Sequence, residues 1–186
     1  MTEIKKRRFE DHPDLDLMDD LEDFSEILVD TAYYVGSILI EFNSLEAAIE
    51  YFIAEQLTHA GDQDDRTYVF LSEMMYQGKA KALINLYGQV IESAEVTYTQ
   101  NDLTSIQDRL DNCAQIRNEY AHANWHGINQ KRYVCVKTQA NKKGIFQKYR
   151  IFDDMQMKSD LKYIIESQFL LGEFDENIFN QFYKRQ

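Results

Sequence analysis

Arg117, Asn118 and His122 bring anion-gripping and proton-carrying side chains to the end of one predicted helix. Asn118 and His122 are four residues apart and share a helix face. Arg117 and His122 are ~140° apart on an ideal helix, so the long arginine or a loosened last turn must bring their heads to one target. Gly127 follows closely and marks a helix C-terminus, where the dipole favours a protonated imidazole. A guanidinium holds oxyanions through paired donors, and an imidazole exchanges a proton near neutral pH. Arg117 also sits where packing asks for an apolar residue, because the stripe Leu103, Ile106, Leu110 and Cys113 runs straight into it. A purely structural reading stays open beside the chemical one. In it Arg117 lays its stem along the bundle and pairs with Glu119 or another acid. His122 then caps helix carbonyls, Asn118 meets solvent, and Tyr120 and Trp125 are core aromatics.

Other chemistries have little to build on. His12, His59, His122 and His126 lack metal-ligand spacing. His122 and His126 are four apart, but no acid stands between them as in a helical zinc protease. The chain has no Gly-rich phosphate loop, and neither Cys113 nor Cys135 has a histidine arranged to activate it. Two lone cysteines give no disulfide framework; Cys113 lies on the apolar stripe as a small core residue. No cofactor and no metal is expected.

The elements that position the motif are helical by composition and period. One proline and seven glycines in 186 residues are few for a sandwich or barrel. A first helix is predicted from Phe24, its seam Phe24, Leu28, Thr31, Val35, Ile38, Phe42, Leu45, Ile49 and Phe52 stepping by four and three. It should stop before the Gly61-Asp62 loop. A second is predicted over 66–93, with Phe70, Met74, Leu83, Leu86 and Val90 apolar. A third covers 101–124 with Asn101 or Asp102 as N-cap. A fourth starts near Asp153 and carries Leu161, Ile164 or Ile165, Phe169, Phe174, Ile178 and Phe182, with Gly172 as a place to bend. Between the last two, Tyr133–Lys137 and Ile145–Phe152 are β-branched and aromatic stretches around Gln-Ala-Asn-Lys-Lys-Gly, a hairpin signal. The predicted fold is all-α: a four-helix up-and-down bundle with a β-hairpin inserted before the last long helix. Residues 1–20 form a polar, acidic lead-in and 21–186 one domain.

The net charge of −12 is unevenly spread. Residues 10–65 hold 17 Asp or Glu and no Lys or Arg. The stretch from His126 to Arg150 holds Lys131, Arg132, Lys137, Lys142, Lys143, Lys148 and Arg150 and no acid. Two readings of it stay open: a local footprint for a polyanion, or a hairpin made Lys-rich to guard its edges. The longest apolar run, Thr31 to Ile40, is too short for the ~20 residues that cross a bilayer. Lys5-Lys6-Arg7-Arg8 leads into acid and Pro13, so it is not a secretory signal. A cytoplasmic protein with no membrane partner is expected.

The segment Ile116-Arg-Asn-Glu-Tyr-Ala-His-Ala-Asn-Trp125 resembles the Arg-x4–6-His signature of the HEPN superfamily, including the polar residue after the arginine and the small residue before the histidine. Glu41-Phe-Asn-Ser-Leu-Glu46 is similar to the first helix of many such domains. The strong similarity covers about ten residues of this chain and, through helix order, extends loosely to most of it. The resemblance implies a helical bundle with the motif closing its third long helix, and a metal-independent endoribonuclease of toxin–antitoxin, antiviral or stress-response type. It implies that His122 transfers a proton, Arg117 holds the scissile phosphate and Asn118 orients ribose, phosphate or imidazole. It further implies a homodimer in which the motifs of both subunits line one groove, with Arg117 at or near the interface. RNA and a cognate antitoxin are the other implied partners, and the 131–150 cations guide the RNA. Toxin-type members carry tyrosine two residues after the histidine, and this chain has Asn124 there. The alternative is a non-catalytic HEPN-like dimerisation or RNA-binding module.

Overall fold

In the computed structural model, residues 5–8, 21–58, 65–93, 96–128, 132–142 and 144–182 are described. Helix predominates, in five segments among the described residues: α1 (Leu21–Thr58), α2 (Asp65–Ser72), α3 (Tyr76–Ser93), α4 (Gln100–Ala121) and α5 (Asp154–Phe182). The strands are β1 (Lys5–Arg8), β2 (Asn124–Ile128), β3 (Arg132–Asn141) and β4 (Gly144–Phe152). The Gly61-Asp62 loop lies outside the described residues. By backbone proximity the chain divides into two compact units: residues 1–39 with 116–162, and 40–115 with 163–186. Helices α1, α4 and α5 contribute residues to both. Among the described residues no helix is long and apolar enough to cross a membrane.

Where the sequence predicts a two-stranded hairpin, the structure has a four-stranded antiparallel sheet in the order β1-β4-β3-β2. Strand β1 comes from the stretch expected to be a polar lead-in. Alternation of apolar and polar residues cannot reveal a strand made of Lys-Lys-Arg-Arg; its pairing with β4 supplies the missing hydrogen-bond partners. Asn141 and Gly144 close the β3–β4 turn, and Gly144 has φ +117°, a conformation open to glycine and strained for other residues.

The predicted 66–93 helix is broken. Glu73 and Met74 donate to carbonyls three residues back, at 3.3 and 3.0 Å, and α3 restarts with Gly78 and Lys79 bonding to the Met75 carbonyl. The break resets the helical phase, so Leu71 is buried and Phe70 is 69% exposed, the reverse of the sequence expectation. Helix α4 begins earlier than expected: Thr99, not Asn101 or Asp102, is its N-cap. The Thr99 amide donates to the Asp102 carboxylate at 2.8 Å while the Asp102 amide donates back to the Thr99 hydroxyl at 3.4 Å, a capping box. The Thr99 hydroxyl, which donates to the same carboxylate at 2.7 Å, and the Thr99 amide hold the Asp102 carboxyl below its ordinary range. Asp153 caps α5, accepting from the Gln156 amide at 2.8 Å, and Gly172 does not interrupt that helix.

The core of the second unit uses Phe42, Leu45, Ile49, Leu83, Leu110 and Ile178, all nearly inaccessible. Lys79 and Asp175 are buried with them. Lys79 on α3 donates to Glu46, at 2.6 Å, and to Glu50 on α1. Burial pulls its ammonium down, but the two glutamates outweigh burial and hold it above its ordinary value. Asp175 on α5 is 3% exposed and accepts from the Tyr87 hydroxyl at 2.7 Å and the Gln56 amide at 3.3 Å. Burial pushes its carboxyl up to about 6, against the pull of those two bonds.

Lys79→Ala strands two glutamates a helical turn apart and should cost about 3 kcal/mol in urea unfolding, the low end for breaking a buried pair because both carboxylates keep some water. Asp175 sets a pH dependence. The folded chain holds that proton more tightly than the unfolded one, so the stabilisation is full below about 4 and is lost as pH rises through about 6. The wild-type urea midpoint should therefore carry a fall between pH 4.5 and 7 that is absent from Asp175→Asn.

Candidate functional site

The C-terminal end of α4 is built by residues 116–162, within one unit. Its stripe continues in threes and fours: Leu110 and Cys113 are buried, Arg117 is half-buried, and Tyr120, at 1% exposure, is the next fully buried side chain. Arg117 thus occupies a seam position between two buried residues. Burial pushes the Cys113 thiol up and keeps it protonated.

Tyr120 anchors this end of the helix. Its hydroxyl donates to Asp160 Oδ2 on α5 at 2.8 Å, and Gln156 donates to the other oxygen of the same carboxylate at 2.8 Å. Its ring packs with those of Trp125 on β2 and Phe152 on β4, each pair of centroids 5.3 Å apart. The Trp125 indole donates to the Tyr120 carbonyl at 3.2 Å, satisfying a main-chain acceptor at the helix end. Helix α4 therefore stops at Ala121, short of the expected 124, and the chain enters β2 at Asn124. The structural reading of the sequence makes Tyr120 and Trp125 core aromatics; the structure buries Tyr120 and leaves Trp125 half-buried against it.

The motif residues stand on this anchored end. Arg117 Nη1 donates to Asn118 Oδ1 at 3.0 Å, which turns the amide donor of Asn118 away from the guanidinium. His122 occupies the turn after the helix, exposed, with no hydrogen bond or ion pair to the described residues. The structure thus joins Arg117 to Asn118 and presents His122 to solvent, without a bond from the imidazole to either.

The expected RNA-binding cations divide. Lys131 and Lys143 lie outside the described residues. Arg132 and Lys137 are on β3 and Lys148 on β4, placed by strand register. Lys142 is exposed in the β3–β4 turn. Arg150 is engaged internally: its guanidinium pairs with Glu119 and lies 4.6 Å over the Phe152 ring. Burial draws Arg150 below its ordinary value, against the opposing pull of the Asp160 carboxylate. The sequence reading missed the Glu119–Arg150 and Tyr120–Asp160 pairings. The signal for the second was a lone acid, Asp160, at a seam position of α5. Among the described residues no three His, Cys, Asp or Glu side chains form a group able to hold a metal ion.

Tyr120→Phe keeps the ring packing but leaves the Asp160 carboxylate one donor short in the interior. It should destabilise the protein by about 1–3 kcal/mol, read as a drop in urea midpoint with unchanged far-ultraviolet circular dichroism. No known family model matches the sequence, and no curated protein or solved structure is similar to it.

Proposed function

We propose that this chain is a HEPN-type, metal-independent endoribonuclease in which Arg117, Asn118 and His122 form the catalytic motif, its long helices making a four-helix up-and-down bundle. The observation that carries the reading is the Arg117–Asn118 pair at the C-terminal end of α4, with His122 exposed in the turn that follows. Cleavage of this type needs a base for the ribose 2′-hydroxyl, an acid for the departing 5′-oxygen and positive charge at phosphorus. The 2′-oxygen bonds to phosphorus, the bond from phosphorus to the 5′-oxygen breaks, and a 2′,3′-cyclic phosphate and a 5′-hydroxyl result. His122 moves one of the protons, and Arg117 stabilises the charge that builds on the phosphoryl oxygens. Asn118, held by Arg117, orients the phosphate or ribose. The second proton carrier is His122 of the partner subunit across a two-fold homodimer groove, with Arg117 at or near the interface.

The biological setting that goes with this chemistry is a cytoplasmic toxin, antiviral or stress-response ribonuclease, with RNA, a second copy of the chain and a cognate antitoxin as partners. A non-catalytic HEPN-like dimerisation or RNA-binding module keeps the same bundle and binds RNA without cutting it.

Purified protein incubated with total RNA in EDTA should release fragments ending in 2′,3′-cyclic phosphate. His122→Ala should slow that release at least 100-fold, the scale of losing a general acid or base. Intact RNA with the wild type, or equal cutting by the variant, overturns the ribonuclease reading in favour of the module.

A further inference from the structure

Where α4 meets α5, three side chains gather around one guanidinium, all within the second unit. Arg109 and Asn112 are three residues apart on α4 and share a face, as do Tyr163 and Ser167, four apart on α5. The Arg109 guanidinium lies over the Tyr163 ring, 4.5 Å from its centroid. Its Nε donates to the hydroxyl of Ser167 at 3.2 Å, and that hydroxyl donates in turn to the Tyr163 carbonyl at 2.7 Å. Ser167 is 2% exposed, so its oxygen cannot swing away to water. The ring fixes the height of the guanidinium and Ser167 fixes its rotation. Beside them Asn112 Nδ2 donates to the Tyr163 hydroxyl at 3.3 Å.

The hydrogen-bond inventory of this cluster is one-sided. A guanidinium carries N–H donors and no acceptor, and only its Nε is used internally. The donors on Nη1 and Nη2 have no hydrogen bond or ion pair to the described residues. The Tyr163 hydroxyl accepts from Asn112, so its own proton is left to donate, and Asn112 Nδ2 keeps a second N–H. Arg109 and Tyr163 are half-buried and Asn112 is exposed, so this rim of donors reaches solvent. Packing accounts for the stacked plane, but a leucine would pack as well and would bring no donors. The nearby acids do not fill the site. Asp108 and Asp111 are turned ~100° and ~160° away from Arg109 around α4. Asp102, near the same face two turns earlier, is engaged by Thr99, and Glu166 on α5 has a partner of its own. Water serves such donors one at a time; a planar carboxylate serves the Nη fork with both oxygens at once.

We infer that Arg109, Tyr163 and Asn112 form a binding site for a carboxylate, with Arg109 clamping both oxygens and Tyr163 donating to one of them. Charge sets the class of anion. The site holds one cation on a helix that also carries Asp102, Asp108 and Asp111, which favours a monoanion over a dianion such as phosphate or sulfate. Leu170, seven residues past Tyr163 and so on the same face of α5, is 40% exposed and offers an apolar neighbour to whatever bears the carboxylate. A chain end beside an apolar side chain and an acidic side chain share this chemistry. Arg117, Asn118 and His122 belong to the other unit, so this site does not rest on the ribonuclease reading.

The test follows the Arg109 Nε–H and Asn112 amide resonances of the full, isotope-labelled chain during NMR titration at constant ionic strength. The probes are acetate, N-acetyl-leucine as a chain-end carboxylate, the α-amide of N-acetyl-glutamate as a side-chain carboxylate, and sulfate as a dianion. Both resonances should shift saturably with each carboxylate, and N-acetyl-leucine should reach half-saturation at about threefold lower concentration than acetate, from contact with Leu170. Arg109→Lys keeps the charge and loses the fork, so half-saturation, read on the Asn112 amide, should rise about tenfold. Tyr163→Phe keeps the stack and loses one donor, so it should rise about fivefold; this variant carries the test if Arg109→Lys does not fold. Lys81→Gln, an exposed lysine on α3, should bind as the wild type does. Shifts that stay linear with concentration, wild-type binding by Arg109→Lys and Tyr163→Phe, or sulfate binding as tightly as acetate overturns the assignment. Tighter binding of the glutamate probe than of N-acetyl-leucine upholds the site and assigns it to an acidic side chain in place of a chain end.

Discussion

The Tyr120 hydroxyl donates to a carboxylate that has been taken out of water, and the end of α4 depends on that bond. Asp160 is 8% exposed on the buried seam of α5. A carboxylate there persists only when its oxygens are supplied with donors, and Tyr120 and Gln156 supply one to each. The demand works in both directions. Tyr120 must stay inside to serve Asp160, so the last turn of α4 cannot rotate to bury Arg117 or His122 instead. Trp125 and Phe152 close around the same ring and tie β2 and β4 to that turn. Arg117, Asn118 and His122 are then carried on a helix end whose rotation is set by a buried acid on the next helix, across three intervening strands.

The polar residues that hold the fold are also what made parts of it hard to read. On α5 the buried positions Met157, Asp160, Ile164, Ser167, Leu171, Phe174 and Ile178 alternate by three and four, with Asp175 buried beside Phe174. Apolar residues alone misplace that seam, because Asp160 and Ser167 occupy two of its positions. Phe169, which hydrophobicity selects, is 70% exposed. Ser167 is satisfied much as Asp160 is: it accepts from Arg109 at 3.2 Å and donates to the Tyr163 carbonyl at 2.7 Å. On α1 the seam from Thr31 to Ile49 is legible except at Val35, in whose place Tyr34 is buried; its other buried positions are apolar or a small threonine. Past Ile49 the buried positions become Ile53 and Gln56 in place of Phe52, the drift expected of a 3.6-residue helix against a 3.5-residue pattern. The motif at 117–122 was legible as three residue types on one helix end. Its supporting pairs were not, because Glu119–Arg150 and Tyr120–Asp160 join residues 31 and 40 positions apart with nothing local to link them.

Strand β1 shows a different limit. Four consecutive cations carry no period-two signal and read as a solvated tail. They pair because β4 offers an open edge, and main-chain hydrogen bonding is indifferent to side-chain type. The register then does what composition cannot: it sorts cations by face. Alternation in β3 sends Lys137 and Arg132 to opposite sides of the sheet, although they are five residues apart in a segment that by charge alone looks uniform.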